Sequence, residues 1–232
     1  MLVRLDRGAE ADQLEVLCDD PVFREALIEL YYNEDGGRHV KRFPRGSVTD
    51  EILARFDEVL APMLRQTARL EPAPWAAALH EAARRLNEQD VDWWLAGSGA
   101  LAVRGLSIRP RDLDFIVPES DAARTAAAFD DILIEPPVAV EGWFCRWFGR
   151  AWAGARIEWV GGVTEDADRP EPTDFGLVAA AALTEVRWEG LTIRVPPLEL
   201  QREVSVRRGL SERVSAIDAF AGGNSPEAHA AR

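Results

Sequence analysis

Lysine is almost missing from this 232-residue chain, in which Lys41 is the only one, and acidic residues outnumber basic residues by 40 to 27. Loose binding to nucleic acid depends on the neutralisation of phosphates by lysine and arginine, so the formal net charge of −13 argues against it. This charge suits a cationic small substrate, a basic partner protein or solubility alone. Most roles for a basic side chain must therefore fall to arginine.

Cysteine, histidine and long apolar runs are also scarce. Cys18 and Cys145 are too few for a disulfide framework or a zinc site, and the three histidines show no ligand spacing. No uncharged apolar run approaches the roughly 20 residues that span a bilayer. The N-terminal stretch MLVRLDRGAEADQ lacks the apolar segment of a signal peptide. We therefore expect a cytoplasmic protein without membrane association.

The character of the sequence changes along the chain. Residues 1–70 are predicted to form an N-terminal helical region of unknown role, because Asp20-Pro21 is typical of a helix start and apolar residues follow at helical spacing. Over residues 71–220, short apolar strands alternate with glycine-rich turns and helices, which predicts an α+β domain with a mixed sheet and helices on one face. The small polar residues 221–232 predict a disordered tail.

Two strand pairs are predicted within the second part. Residues 143–150 and 155–162 form apolar runs joined by a short turn, and residues 184–195 alternate in hydropathy on both sides of a Glu-Gly turn. The first of these strand pairs carries four tryptophans, which are either core residues or the walls of an acceptor or base pocket. These are Trp143, Trp147, Trp152 and Trp159.

The most informative stretch is RDLDFIV, at residues 111–117. On a strand, Asp112 and Asp114 point to one face with their Cα atoms roughly 6.5–7 Å apart, while Leu113 points to the other. Such a pair can bind one or two divalent cations. The alternative is an edge strand with a solvated acidic face.

Two further features support the cation site. The strand WWLA ends at Gly97-Ser98, where a helix start would present backbone N–H groups to phosphate, although Gly-Ser-Gly alone is also typical of plain turns. Glu158 is an isolated acid in the middle of ARIEWVGG. Three carboxylates on two adjacent strands, facing a glycine-rich loop, predict a site for magnesium and a nucleotide.

In this order the motifs resemble the polymerase beta-like nucleotidyltransferase superfamily over roughly residues 90–220. That superfamily carries an apolar strand, Gly-[Gly/Ser], a short spacer, Asp-x-Asp on a strand and a third acid on a later strand. The small bacterial branch looks most similar; it includes lincosamide and aminoglycoside nucleotidyltransferases and nucleotidyltransferase toxins. The resemblance implies the corresponding fold, with the N-terminal helical region beside it.

The resemblance also implies a reaction and residue roles. A nucleoside monophosphate would move from an NTP to a hydroxyl of a small-molecule acceptor, with two Mg²⁺ ions bound by Asp112, Asp114 and Glu158. Glu158 would bind the catalytic metal or act as the general base. Gly97 and Ser98 would hold the β- and γ-phosphates.

Several points stay open in the sequence. Arg109 and Arg111 either neutralise phosphate or form surface salt bridges. Members of the branch commonly carry a lysine in a closing helix, where this chain offers Arg207 or Arg208. A toxin that modifies tRNA or protein and a non-catalytic nucleotide-binding relative are the alternative functions. A homodimer and an antitoxin-type partner are both compatible with the sequence.

Overall fold

The computed structural model describes residues 1–223, which form three sheets and eight helices. The strands are β1 (Leu2–Arg7), β2 (Ala11–Leu17), β3 (Asn33–Asp35), β4 (Arg38–Pro44), β5 (Trp94–Ala96), β6 (Asp112–Val117), β7 (Leu133–Ala139), β8 (Cys145–Trp152), β9 (Arg156–Val163), β10 (Thr184–Trp188) and β11 (Leu191–Val195). The helices are α1 (Pro21–Glu29), α2 (Asp50–Thr67), α3 (Trp75–Glu88), α4 (Gly97–Val103), α5 (Ala122–Ala128), α6 (Leu177–Ala180), α7 (Leu198–Arg207) and α8 (Ser211–Gly223).

The N-terminal region differs from the prediction. It contains helices α1 and α2, but β1–β4 form an antiparallel sheet in the order β1-β2-β4-β3, so the expectation of a mainly helical region was wrong. In β2, Leu14 and Val16 alternate into the core, a period-two pattern that burial of one sheet face selects. Gly36 and Gly37, both with positive φ, close the β3–β4 hairpin.

The second part of the chain contains a five-stranded mixed sheet in the order β5-β6-β9-β8-β7. Only β6 and β9 pair in parallel; the other three pairings are antiparallel. The predicted pairing of β8 with β9 and the predicted β10–β11 hairpin are confirmed. The edge strand β7 was not predicted because it contains Pro136 and Pro137, which an edge strand tolerates.

One apolar core joins the N-terminal sheet to the mixed sheet. Leu14 of β2, Phe56 of α2, Phe115 of β6 and Trp159 of β9 are all completely buried in it. The α+β class with a mixed sheet is confirmed, whereas the boundary near residue 70 stays a prediction. The opposite face of the mixed sheet carries the polar residues predicted to be functional.

The C-terminal segment closes this second face. Helices α7 and α8 pack against each other, and α8 continues to Gly223, so residues 221–223 are helical although they were assigned to the disordered tail. The rest of that prediction, residues 224–232, lies outside the described residues. No helix within residues 1–223 has the length and apolar character needed to cross a bilayer.

Candidate functional site

A cleft of about 1940 Å³ opens on the polar face of the mixed sheet. Its walls include every residue predicted to act in catalysis, metal binding or nucleotide binding: Gly97, Ser98, Arg109, Arg111, Asp112, Asp114, Glu158 and Arg208. These residues come from β6, β9, the β5–α4 junction, the loop before β6 and the α7–α8 connection. The fold therefore brings together the residues that the sequence motifs singled out.

Strand register aligns the predicted acids with the glycine-rich loop. Ala96, the last residue of β5, pairs with Asp114 of β6, and Asp114 pairs with Glu158 of β9. Asp112 pairs with Arg156 in the same parallel ladder. Because side chains alternate along a strand, both aspartates and Glu158 share the cleft face of the sheet.

The junction between β5 and α4 requires glycine. Gly97 has φ of +60°, and a Cβ atom there would lie 2.3 Å from Oδ2 of Asp114. Only glycine therefore lets the carboxylate lie against the loop. Ser98 is 6% exposed, and its hydroxyl has no hydrogen-bond partner within residues 1–223. From α7, Gln201 Nε2 donates to the Gly97 carbonyl at 3.0 Å and anchors the loop.

Asp114 is an acid surrounded by acids. Burial raises the pKa of its carboxyl well above the ordinary range, and the nearby Asp112 and Glu158 charges raise it further. Within the described part of the chain, no cation forms an ion pair with Asp114 and no donor bonds to its side chain. The nearby Arg156 charge opposes the rise but does not contact this carboxylate, so a bound cation would lower its pKa further.

Glu158 lies beside Asp114 but has the opposite environment. Its Oε1 atom accepts a hydrogen bond from Arg150 Nε at 2.7 Å and lies 3.1 Å from Arg156 Nε. Burial raises the pKa of Glu158, but the two guanidinium groups outweigh it and lower the pKa to about 2. Arg156 also forms an ion pair with Asp112. A carboxylate with so low a pKa is a weak general base near neutral pH.

The donor set fits a divalent cation on the two aspartates better than on all three acids. Within residues 1–223, no group of three or more His, Cys, Asp and Glu side chains has metal-binding geometry. Asp112 and Asp114 nevertheless present oxygen ligands beside the Gly97 loop, and hard Mg²⁺ needs only one or two carboxylates when phosphates and water complete its shell. The role of Glu158 as a metal ligand stays a prediction.

A second set of charges lies across the cleft at the α7–α8 connection. Arg208 and Arg213 form no ion pair within 4.0 Å among the described residues and lie near each other and near Asp174. Asp174 is only 4% exposed, and burial raises its pKa, although the two arginines oppose the rise. The motifs pointed to Arg208 but missed Arg213 and Asp174, which stand in no recognisable pattern.

The two arginines that precede β6 have different environments. Arg111 donates to Glu29 at 3.0 Å and to the Thr67 carbonyl at 2.6 Å, so it is the structural salt bridge that the sequence left open. Arg109 is exposed and has no ion-pair partner in the described part of the chain. Of the two, only Arg109 is free to contact a phosphate without breaking an ion pair.

An aromatic wall lies on the side of the cleft nearest β8. Tyr31 and Trp143 pack edge to face with ring centroids 5.9 Å apart, and Phe148 lies beside Trp143 at 5.5 Å. Trp143 is the one predicted pocket tryptophan that lines the cleft; Trp159 is completely buried, and Trp147 and Trp152 pack on the core.

Tyr31 occupies a position that normally suits glycine. Helix α1 ends in a Schellman motif, in which Tyr32 N–H donates to the Leu27 carbonyl and Tyr31 N–H to the Ile28 carbonyl. This motif gives Tyr31 a φ of +65°, and the side chain is largely exposed in the cleft. A bulky residue with positive φ is an outlier, and strained residues of this kind cluster at functional sites.

The cleft has balanced formal charges, whereas the chain as a whole is strongly acidic. Eight arginines and eight acidic residues line it, in contrast to the formal net charge of −13 overall. The arginines are Arg69, Arg109, Arg111, Arg156, Arg169, Arg207, Arg208 and Arg213. The acidic excess therefore lies mainly outside the cleft, and the cleft can accept an anionic group such as a polyphosphate.

Neither a known protein family nor a curated protein matches this sequence. Among solved structures, a proposed nucleotidyltransferase from Thermotoga maritima is similar, with 20% identity and a TM-score of 0.47 over 65% of this chain and 94% of that one. The resistance factor ANT(2″)-Ia, solved with adenylyl-2″-tobramycin, shows 12% identity and a TM-score of 0.36 over 64% and 97% of the two chains.

A nucleotidyltransferase-like protein from Paracoccidioides brasiliensis gives 13% identity and a TM-score of 0.41, over 64% of this chain and 78% of that one. All of these TM-scores lie below 0.5, so the similarities do not by themselves assign a function. The chemistry of the cleft has to carry that assignment.

Proposed function

We propose that this chain is a metal-dependent nucleotidyltransferase that moves a nucleoside monophosphate from an NTP to a hydroxyl of a small molecule. One observation carries the proposal: Asp112 and Asp114 share the strand face beside Gly97, and the half-buried Asp114 lies near Asp112 and Glu158 and forms no ion pair among the described residues. A purely structural protein gains nothing from this arrangement, because the apposed carboxylates repel each other.

The chain supplies binding groups for a triphosphate on one side of the two aspartates. The backbone of Gly97 and the unpartnered hydroxyl of Ser98 face the cleft from the β5 side. Arg208 and Arg213 lie across from them and provide two positive charges for the leaving pyrophosphate. Bound Mg²⁺ would be held by Asp112 and Asp114 and would add charge neutralisation at the reacting phosphate.

The strand order predicts where the acceptor binds. In-line displacement needs the attacking oxygen on the side of the phosphate opposite the leaving group. With the phosphates at the β5 side of β6, the attacking hydroxyl would approach from the side of β9 and β8. Tyr31, Trp143 and Phe148 line the cleft there and offer flat apolar surfaces to a ring-containing acceptor.

Label transfer tests the function directly. The protein is incubated with Mg²⁺ and α-³²P-labelled NTPs, and an aminoglycoside and lincosamide panel, bulk tRNA and purified cell protein are offered in turn. We expect label on a small molecule, none with Asp114→Asn, and normal transfer with Glu119→Gln, an exposed acid outside the cleft. Label only on tRNA or protein would support the toxin function instead.

A non-catalytic relative is the second candidate, and the Arg156–Asp112 ion pair favours it because it occupies one predicted metal ligand. Nucleotide binding without label transfer to any acceptor, and without NTP consumption, would support that candidate. Equal NTP consumption by the wild type and Asp114→Asn would contradict the proposed site.

A further inference from the structure

The environment of Glu158 differs from what a metal ligand requires. Arg150 on β8 is 1% exposed; it donates from Nε to Glu158 at 2.7 Å and from a terminal nitrogen to Glu135 at 3.0 Å. The same terminal nitrogen donates to the Leu30 carbonyl at 2.8 Å. Arg150 is therefore held on several sides and cannot turn away from Glu158 without leaving buried partners unsatisfied.

Arg156 on β9 is held as firmly and contacts two of the three predicted acids. Its Nε atom lies 3.1 Å from Glu158 Oε1, one terminal nitrogen donates to Thr67 Oγ1 at 3.1 Å, and the other forms the ion pair with Asp112. The residue is 7% exposed. The guanidinium thus contacts both Asp112 and Glu158 and offsets part of the negative charge of each.

Two buried guanidinium groups contact one carboxylate oxygen of Glu158 and disfavour the binding of a divalent ion to that carboxylate. Their charges already compensate Glu158, and a doubly charged ion close to both would be repelled where screening by water is weak. Asp114 forms no ion pair in the described part of the chain, and the Arg156 charge acts on it only through space. The fixed arginines therefore compensate Glu158 and one oxygen of Asp112, whereas Asp114 on β6 is left for a bound cation.

We infer that Glu158 is not a metal ligand in this chain, that the cleft binds a single divalent cation on Asp112 and Asp114, and that Arg156 supplies the positive charge of a second ion. Arg156 is a positioning residue in this arrangement, since it holds Asp112 and Glu158 together. The inference rests on the proposed function, because it concerns the metal that this function requires.

Residues of the N-terminal region hold Arg150 and Arg156 in place. Thr67 at the end of α2 and Leu30 at the end of α1 hold the two arginines, and Lys41 of β4 binds Glu135 at 2.6 Å. The first 70 residues thereby set the positions of the guanidinium groups behind the cleft.

The number of bound ions decides the inference. Free Mn²⁺ is counted by its solution EPR signal while it is titrated into the protein, alone and with α,β-methylene-ATP. We expect one Mn²⁺ per chain in both titrations, and the same count with Glu158→Gln, because that variant removes a nearby charge but no metal ligand. Asp114→Asn should weaken Mn²⁺ binding by about tenfold or more, since it removes a ligand.

Glu135→Gln is the matched control, because it also removes a buried acid bound to Arg150 but lies outside the large cleft. Two Mn²⁺ ions in the wild type, falling to one in Glu158→Gln and not in Glu135→Gln, would overturn the inference. Circular dichroism confirms that each variant is folded before it is titrated.

Arg156→Gln tests the arginine itself. Removal of a positive charge beside Asp112 should tighten Mn²⁺ binding by about tenfold, and an unchanged or weaker affinity of the folded variant would contradict the role of Arg156. If the wild type binds no Mn²⁺ with or without the analogue, the proposed function itself fails. That outcome is distinct from a count of two, which overturns only the inference.

Discussion

Asp114 and Glu158 face each other in register on β6 and β9, yet their environments are opposite. Asp114 is half-buried beside two other acids and has a raised pKa; Glu158 is half-buried beside two arginines and has a pKa of about 2. Burial alone would raise the pKa of both carboxyls, so the difference arises from the neighbouring charges. Two acids of one apparent motif therefore differ in function: one needs a cation, and the other already has two.

The largest expected effect is a difference in enzymatic activity between variants of Asp114 and of Glu158. Asp114→Asn should lower NTP consumption by about a hundredfold or more, because loss of a metal ligand removes several kcal/mol of transition-state stabilisation. Glu158→Gln should retain far more activity than Asp114→Asn. Steady-state pyrophosphate release measures both, and equal losses in the two variants would show that the acids act as one metal site.

The free energy of unfolding should rank the two variants in the opposite order, with Glu158→Gln the more strongly affected. Glu158→Gln takes a negative charge from two buried guanidinium groups, so we expect the free energy of unfolding to fall by about 1.5–3 kcal/mol. Asp114→Asn should leave it unchanged or raise it, because carboxylate repulsion is relieved. Urea unfolding at pH 7 with EDTA measures both. A Glu158→Gln variant as stable as the wild type would show that the arginines do not need this acid.

The pH dependence of stability sharpens the comparison. The pKa of Glu158 is lowered, so its contribution is present above the ordinary glutamate pKa and is lost as pH falls towards 2. The pKa of Asp114 is raised, so the folded state loses stability as pH rises from about 4 through that raised value. Metal-free Asp114→Asn should therefore gain stability over the wild type as pH rises. Parallel curves from pH 4 to 8 would contradict this expectation.

The smallest effect concerns Tyr31, whose ring lies 5.4 Å from the Arg150 guanidinium on the Glu158 side. Tyr31→Gly should leave the melting temperature unchanged or slightly higher, because relief of the positive φ, worth about 1 kcal/mol, offsets the lost ring contacts. Tyr32→Gly is the control and should destabilise strongly, since Tyr32 is buried against Phe56. A clear loss of stability in Tyr31→Gly would indicate that the ring is structural.

In the second part of the chain, the strands and the faces on which their polar residues lie could be predicted from the sequence. Asp112, Asp114 and Glu158 were correctly expected on one face of adjacent strands, because a period of two places such residues on one side. The N-terminal sheet was missed because its short strands lie next to convincing helices, and β7 was missed because of its two prolines. Edge position, which makes prolines acceptable, is a property of the sheet and not of the segment.

The sequence by itself determined the candidate residues, namely the Gly97-Ser98 turn, the Asp-x-Asp strand and the isolated Glu158, because spacing and strand periodicity are local. Only the tertiary structure decided which charge each acid meets. Arg150 lies on β8 and is held by Leu30, which follows α1, and by Glu135 of β7. Arg156 is held by Thr67 of α2, which is also distant from β6 in sequence. Electrostatic interactions act through space, and in a buried site a guanidinium a few ångströms away decides whether a carboxylate binds a metal or an arginine.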